Sequence, residues 1–184
     1  IQLRNPTTVR VIDQNTTVLD FVVPSNLGLS LIDGQWHHYA IVRDGAAGLM
    51  RVFVDGHYLG EKSSSTVALN VAARGLVLGQ EQDDVNGSYQ SSQAAYGQLD
   101  ELRFWDRFWD DPNAGNQFAL QFKRVLINKD KSVSSTDPDL RAQYKFDETS
   151  GSVISDSGPS RFNGTLGDTT IGLLDAARDT RPPA

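Results

Sequence analysis

The sequence contains no cysteine, only three histidines and no long apolar run. Without cysteine there are no disulfide bonds, no zinc–thiolate sites and no cysteine nucleophile. With so few histidines, a histidine-based metal site is not expected. No segment reaches the roughly 18 consecutive apolar residues that a membrane-spanning helix requires, so membrane insertion is not predicted.

Positive charge is also scarce. The 184 residues include 17 Lys and Arg against 23 Asp and Glu, which gives a formal net charge of −6 and a pI of about 4.9. Nucleic acids are bound through basic patches, so a nucleic-acid partner is not predicted. The sequence also contains no phosphate-binding loop, no nucleophile elbow and no dinucleotide-binding fingerprint.

The first hundred residues contain short strand-like runs separated by turn signals such as the Asp-Gly pairs at 33–34, 44–45 and 55–56. The runs are residues 7–12, 17–23, 36–43, 49–54, 76–79 and 98–105, of which 76–79 is predicted to be buried. A series of short strands of this kind predicts an all-β fold, either an antiparallel sandwich or a jelly roll.

Two further features follow the strand series. Phe118, Phe122 and Val125 recur at helical spacing after Pro112, which predicts one short helix near 112–126. Residues 129–139 are polar and predict a linker. Alternation of apolar and polar residues resumes at Leu140, so residues 140–184 are predicted to form a C-terminal segment that opens with a strand.

Three ordered motifs resemble the laminin-G-like and pentraxin-like jelly-roll family of the concanavalin type. They are Asp33–Ala40 together with Arg51–Gly56, then Leu78–Asp83, then Gly97–Asp106. The resemblance implies a concanavalin-like jelly roll over residues 1–128 that lacks its usual first strands. The segment 140–184 resembles the start of such a module.

In this family the first and last strands lie side by side, which leaves three alternatives for the C-terminal segment. The strand around Tyr144 can pair with the strand around Leu102 in the same chain, as in a circular permutant. It can instead complete a neighbouring subunit by strand addition, or complete the next module of a tandem protein. The last two alternatives predict other copies of the chain, or adjacent repeats, as partners.

The resemblance also implies a calcium site in the polar stretch after residue 79. Glu81, Asp83 and Gln93 would supply side-chain oxygens, and Gln82 would supply its backbone carbonyl. Oxygen-rich sites of this kind suit Ca²⁺, which takes six to eight oxygen ligands. The full set of candidate ligands is Glu81, Gln82, Asp83, Gln90, Gln93 and Asn5.

Two of these candidates depart from the family pattern. Gln90 stands where the family has an acidic residue, and Arg4-Asn5 stands where it has an Asp-Asn pair. Each departure removes a carboxylate, which favours one ion of modest affinity over two. A solvated polar loop without metal is the alternative. The loops at Asp147-Glu148 and Asp156-Ser157-Gly158 either hold a second cation or show ordinary turn chemistry.

Two functional hypotheses follow, both for an extracellular or cell-surface protein of prokaryotic type. The first is a structural or adhesive module, a repeat or filament subunit that is assembled by strand complementation and stabilised by calcium. The second is a calcium-dependent carbohydrate-binding module. A glycoside hydrolase that uses Glu81 and Asp83 is a more remote alternative, so the chain is not predicted to be an enzyme.

Overall fold

The computed structural model describes residues 1–13, 17–71, 76–84, 87–106 and 133–167, and for residues 17, 81–84 and 87–93 it describes the backbone alone. These residues cluster into two compact units. The first holds Ile1–Leu69 and Val133, and the second holds Asn70–Asp106 and residues 134–167. Across these described ranges, no helix is long and apolar enough to cross a membrane.

The first unit contains two three-stranded antiparallel sheets, with the strand orders β1-β2-β3 and β4-β5-β6. The strands are β1 Gln2–Asn5, β2 Thr8–Asp13, β3 Thr17–Val22, β4 Tyr39–Asp44, β5 Leu49–Val54 and β6 His57–Ser63. A single turn of 3-10 helix, Ser25–Leu27, follows β3. The predicted runs 7–12, 17–23 and 49–54 are therefore confirmed as strands. The run 36–43 forms a strand only from Tyr39 onward, and β1 and β6 are strands beyond the runs given above.

Alternating apolar residues of β2, β3 and β5 build the core of this unit. In the β2–β3 register Val9 is paired with Phe21 and Val11 with Leu19, and all four are buried. The same hydrophobic cluster contains Met50, Val52 and Val54, which occupy alternate positions of β5. Because side chains alternate between the faces of a strand, these positions place one apolar face of each sheet against the other.

One buried carboxylate ties the end of β2 to the chain beyond β6. The Asp13 carboxylate accepts hydrogen bonds from Ser64 Oγ at 2.6 Å and from the Ser65 backbone N–H at 2.7 Å. Arg43 Nε lies 3.5 Å from its other oxygen. Burial by itself raises the pKa of Asp13, but these donors and the Arg43 charge outweigh it and hold the pKa below its ordinary value. The carboxylate is therefore ionised, and its two oxygens hold the end of β2 to Ser64, Ser65 and Arg43.

The second unit consists of antiparallel strand pairs. Its strands are β7 Gln80–Asp84, β8 Gly87–Ala94, β9 Leu102–Trp105, β10 Leu140–Tyr144, β11 Val153–Ile154 and β12 Gly164–Thr165. They pair as β7 with β8, β9 with β10, and β11 with β12. Leu140, Ala142 and Ile154 are buried, and the ring of Tyr144 meets that of Phe104 edge to face at 6.4 Å.

The β9–β10 pairing joins parts of the chain that are far apart in sequence. Leu140 is paired with Trp105, Gln143 with Arg103, and Tyr144 with Leu102. The strand around Tyr144 is thus paired with the strand around Leu102 within the chain, while completion of a neighbouring subunit or of a next module stays a prediction. The described residues divide at Leu69, inside the predicted domain 1–128. This division reports how residues cluster in space, and the predicted domain boundaries stay a prediction.

Some predictions about individual elements need correction or cannot be compared. The run 76–79 is not a strand, and Leu76 and Leu78 are 49% and 45% exposed, so the prediction of a buried strand there is wrong. The last strand of the predicted series begins at Leu102 rather than residue 98. The predicted helix near 112–126 and residues 129–132 of the predicted linker lie outside the described residues.

Replacing Phe21 with alanine tests the core assignment. Phe21 is 1% exposed, so Phe21→Ala should lower the free energy of unfolding by about 3–5 kcal/mol, because it removes a large buried ring and leaves a cavity. Val22, the next residue on β3, is 57% exposed. The matched Val22→Ala should therefore change stability by less than about 1 kcal/mol. Urea denaturation measures both, and equal losses would contradict the assignment.

Candidate functional site

The β7–β8 hairpin carries five of the six predicted calcium ligands. Gln80 is paired with Ala94, and Gln82 is paired with Tyr89. Between these two pairs β7 contributes one residue, Glu81, whereas β8 contributes four, residues 90–93. The extra residues form a bulge, which breaks the regular ladder. The stretch predicted as a polar loop is therefore a bulged hairpin.

The bulge brings three of the predicted positions together along the backbone. Gln90 and Gln93 lie at the two ends of the four-residue segment that stands opposite Glu81. Gln82 and Asp83 continue β7 beyond it. The side chains of these five residues lie outside what is described, so their role as calcium ligands stays a prediction.

Asn5 ends β1 in the first unit, and the other five candidates belong to the second unit. Its Oδ1 accepts hydrogen bonds from the Thr7 backbone N–H at 2.9 Å and from Thr7 Oγ1 at 3.2 Å. These bonds stabilise the turn between β1 and β2, as Asn side chains do in many turns. Among the residues with described side chains, no group of three or more His, Asp or Glu lies close enough to hold a metal ion.

Asp156 lies in the second loop for which a cation site was considered, and its carboxylate is bound by backbone groups. Its carboxylate, in a residue that is 2% exposed, accepts hydrogen bonds from three backbone N–H groups: Gln143 at 2.8 Å, Gly158 at 2.7 Å and Phe162 at 2.8 Å. The bond from Gln143 joins the carboxylate to β10, and the other two join it to the loop that follows it. These bonds are the turn chemistry of the alternative interpretation.

Neighbouring residues fit closely around this carboxylate. A Cβ added at Gly158 would lie 2.9 Å from Ala142 Cα, from Asp156 Oδ1 and from the backbone nitrogen of Gln143. Asn163 Oδ1 accepts a hydrogen bond from the Asp156 backbone N–H at 3.0 Å, and Glu148 Oε1 accepts one from Ser155 N–H at 2.6 Å. The loop from 156 to 163 is therefore docked on β10 by its own polar groups.

A charged cluster around His37 in the first unit was missed by sequence reasoning, which considered the histidines as possible metal ligands. The His37 ring lies between two carboxylates, with Nδ1 2.7 Å from Asp55 Oδ2 and Nε2 3.0 Å from Asp33 Oδ1. Both aspartates begin Asp-Gly turns that flank strands. That recurrence is the one signal in the sequence from which the cluster could have been found.

Comparisons with known proteins place this fold in a family. The model of the Concanavalin A-like lectin/glucanases superfamily (Laminin_G_3) matches residues 1–112. The chain belongs to this superfamily. The resemblance to laminin-G-like and pentraxin-like jelly rolls is thereby confirmed, as is the all-β, antiparallel fold class.

Pentraxins are among the relatives. Neuronal pentraxin-2 of Cavia porcellus is 38% identical over 84 residues, which are 45% of this chain and 20% of that protein. Human pentraxin-4 is 38% identical over 78 residues, which are 42% of this chain and 16% of that protein. The chain therefore matches a fifth or less of the length of these curated relatives.

A solved structure shows the same fold. It is described as the "Crystal structure of a putative carbohydrate binding protein from Bacteroides ovatus ATCC 8483", and it superposes with a TM-score of 0.62 at 20% sequence identity. The superposition covers 86% of this chain and 40% of that one. It supports the fold alone.

Asp156→Asn tests whether this carboxylate holds the loop. An amide offers one acceptor oxygen, so at least one buried backbone N–H would lose its partner, and the free energy of unfolding should fall by roughly 1–3 kcal/mol. Asp106→Asn is the matched control, because its ion pair with Arg141 is exposed on both sides. That change should cost about 0–1 kcal/mol. Denaturant unfolding compares them, and an equal effect would contradict the structural role of Asp156.

Proposed function

We propose that the chain is an extracellular binding module that takes up one Ca²⁺ at the β7–β8 bulge and uses the ion to bind carbohydrate hydroxyl groups. The observation that carries this proposal is the register of the hairpin, in which residues 90–93 stand opposite Glu81. It gathers, on one short piece of backbone, the carboxylate and amide residues that the family resemblance assigns to calcium.

The chemistry of these residues supports a hard cation. Glu81 and Asp83 supply carboxylates, and Gln90 and Gln93 supply amide oxygens. Ca²⁺ accepts such oxygens with flexible geometry and commonly leaves positions for further oxygen ligands. Sugar hydroxyl groups are oxygen ligands of the same kind. A bulge suits this role because bulges recur beside binding sites, where they redirect side chains.

Binding is favoured over catalysis, although the superfamily description covers both lectins and glucanases. Glycoside hydrolysis needs two carboxyl groups about 5–9.5 Å apart on either side of the scissile bond. In this proposal Glu81 and Asp83 bind the ion and are not free to act as acid and nucleophile. The named relatives are pentraxins, and the solved structure is described as a carbohydrate binding protein, so neither favours an enzyme.

Location outside the cell is part of the proposal. Membership of a family of laminin-G-like and pentraxin-like domains supports it. A prokaryotic source stays a prediction.

Assembly by strand complementation is the weaker hypothesis. The strand that was considered for donation, β10, is already paired with β9 in the same chain. A strand whose backbone groups are paired in this way has less to gain by completing a neighbour. Self-association therefore stays a prediction, and sedimentation velocity with and without chelator would detect it.

Calcium titration tests the ion site. Isothermal calorimetry of the intact chain should show one site with a Kd on the order of 10⁻⁴ M, as in extracellular modules with few charged ligands. Asp83→Ala should abolish uptake, while the control Asp84→Ala, at the adjacent position, should retain it. Gln90→Glu should tighten binding about tenfold, because it adds a charged ligand. A flat titration of the unmodified chain would refute the site.

Glycan binding is tested separately. The chain should be retained on immobilised glycans in the presence of Ca²⁺ and released by a chelator, and Asp83→Ala should lose retention. Retention that survives both treatments would place the sugar site away from the ion. Release of reducing ends from the bound glycans would show hydrolysis and would overturn the choice of a binding module over an enzyme.

A further inference from the structure

The His37 ring in the first unit is nearly enclosed and is held at both of its nitrogens. Its side chain is 8% exposed, against 38% for Asp33 and 25% for Asp55. Asp55 Oδ2 lies 2.7 Å from Nδ1, and Asp33 Oδ1 lies 3.0 Å from Nε2. Tyr39 meets the ring edge to face at 6.4 Å and adds a neutral aromatic neighbour.

Counting protons shows that this arrangement depends on charge. A neutral imidazole has one N–H, whereas the imidazolium ion has two. Both contacts are hydrogen bonds to ionised carboxylates only when His37 is protonated. If His37 loses a proton, one ring nitrogen presents a lone pair to a carboxylate oxygen at about 3 Å, and that contact becomes repulsive.

The two contacts differ in how well their carboxylates are anchored. Asp55 also accepts a hydrogen bond from the His38 backbone N–H at 2.8 Å, and its own N–H donates to His38 O at 2.8 Å. Asp33 has one further bond, accepted within its own turn from the Gln35 N–H at 2.9 Å. Deprotonation should therefore keep the shorter bond to Asp55 and break the bond to Asp33.

The turn that this bond holds presents apolar side chains to solvent. Ile32 is 59% exposed and Trp36 is 48% exposed, and Asp33 lies between them in sequence. We propose that protonation of His37 fixes the Ile32–Trp36 turn against the β5–β6 corner, and that loss of this proton releases the turn and the Trp36 side chain. The geometry makes the turn a pH-dependent element of the first unit, separate in the chain from the hairpin that is proposed to bind calcium.

The charges around His37 set the direction of this pH switch, by which we mean the release of the Ile32–Trp36 turn when His37 loses its proton. Burial lowers the pKa of His37, but the hydrogen bonds to Asp55 and Asp33 and their charges outweigh it, so the pKa lies above its ordinary value of 6.5. The pKa of Asp33 is held below its ordinary value by the Gln35 N–H and by His37. Both ring contacts of His37 are therefore hydrogen bonds below pH 6.5. The contact with Asp33 weakens as the pH rises through the raised pKa of His37, and it is also lost in strong acid, where Asp33 is protonated.

Nuclear magnetic resonance of the intact chain tests the switch. The ¹⁵N shifts of the His37 ring should show both nitrogens protonated at about pH 6, below the ordinary histidine pKa. The ¹⁹F signal of 5-fluorotryptophan at position 36, assigned with Trp36→Phe, should move or narrow with the same midpoint, above pH 6.5. A neutral His37 ring at that lower pH, or a Trp36 signal that ignores the His37 titration, would overturn the proposal.

Two variants separate the switch from a general loss of structure. Asp33→Asn keeps an oxygen for the Gln35 N–H but removes the charge, so it should lower the His37 midpoint and shift the low-pH Trp36 signal toward its high-pH position. His57→Gln, at an exposed histidine of β6, should leave both titrations unchanged. An unaltered His37 midpoint in Asp33→Asn would refute the proposed contact between the Asp33 carboxylate and the His37 ring. This test holds even where a variant at the histidine itself, such as His37→Gln, fails to fold.

Discussion

Burial of one apolar face from each three-stranded sheet is the constraint on which the first unit depends. Val9, Phe21 and Val52 are each 0–1% exposed, and they come from three different strands. Because each strand places every second side chain on this face, the positions between them are left for polar and charged groups. The Arg10–Asp20 ion pair occupies such an outward position across β2 and β3.

Buried or half-buried aspartates are the second recurring device, and they act where the strands end. Asp13, Asp55 and Asp156 each accept hydrogen bonds from backbone N–H groups of a different segment. A carboxylate can accept several such bonds, and each bond satisfies a donor that would be costly to bury alone. These loops are consequently held by aspartate side chains whose carboxylate oxygens already accept hydrogen bonds from the backbone. An acidic loop in this fold is therefore not by itself a cation site.

The sequence predicted the strands of the first unit well because local signals agree there. Alternation in 49–54 and the Asp-Gly pair at 55–56 both point to the same strand end, and the structure follows them. It failed at 76–79, where a short apolar run does not reveal whether its residues are buried. It also could not show that Asp33 and Asp55 meet at His37, since that contact depends on how two turns approach in space. The role of Asp156 was open for the same reason: the loop composition suits both a cation and backbone hydrogen bonds.

The β7–β8 hairpin differs from these loops in one physical respect that bears on function. At Asp13, Asp55 and Asp156, backbone donors lie within hydrogen-bond distance of the carboxylate, because the loops fold back onto the strands. In the hairpin, four residues of β8 face one residue of β7, so the ladder there supplies fewer cross-strand bonds than a regular pair. The proposed calcium site lies at this interruption of the ladder, where it would add a cation and a sugar hydroxyl group to the cross-strand bonds that remain.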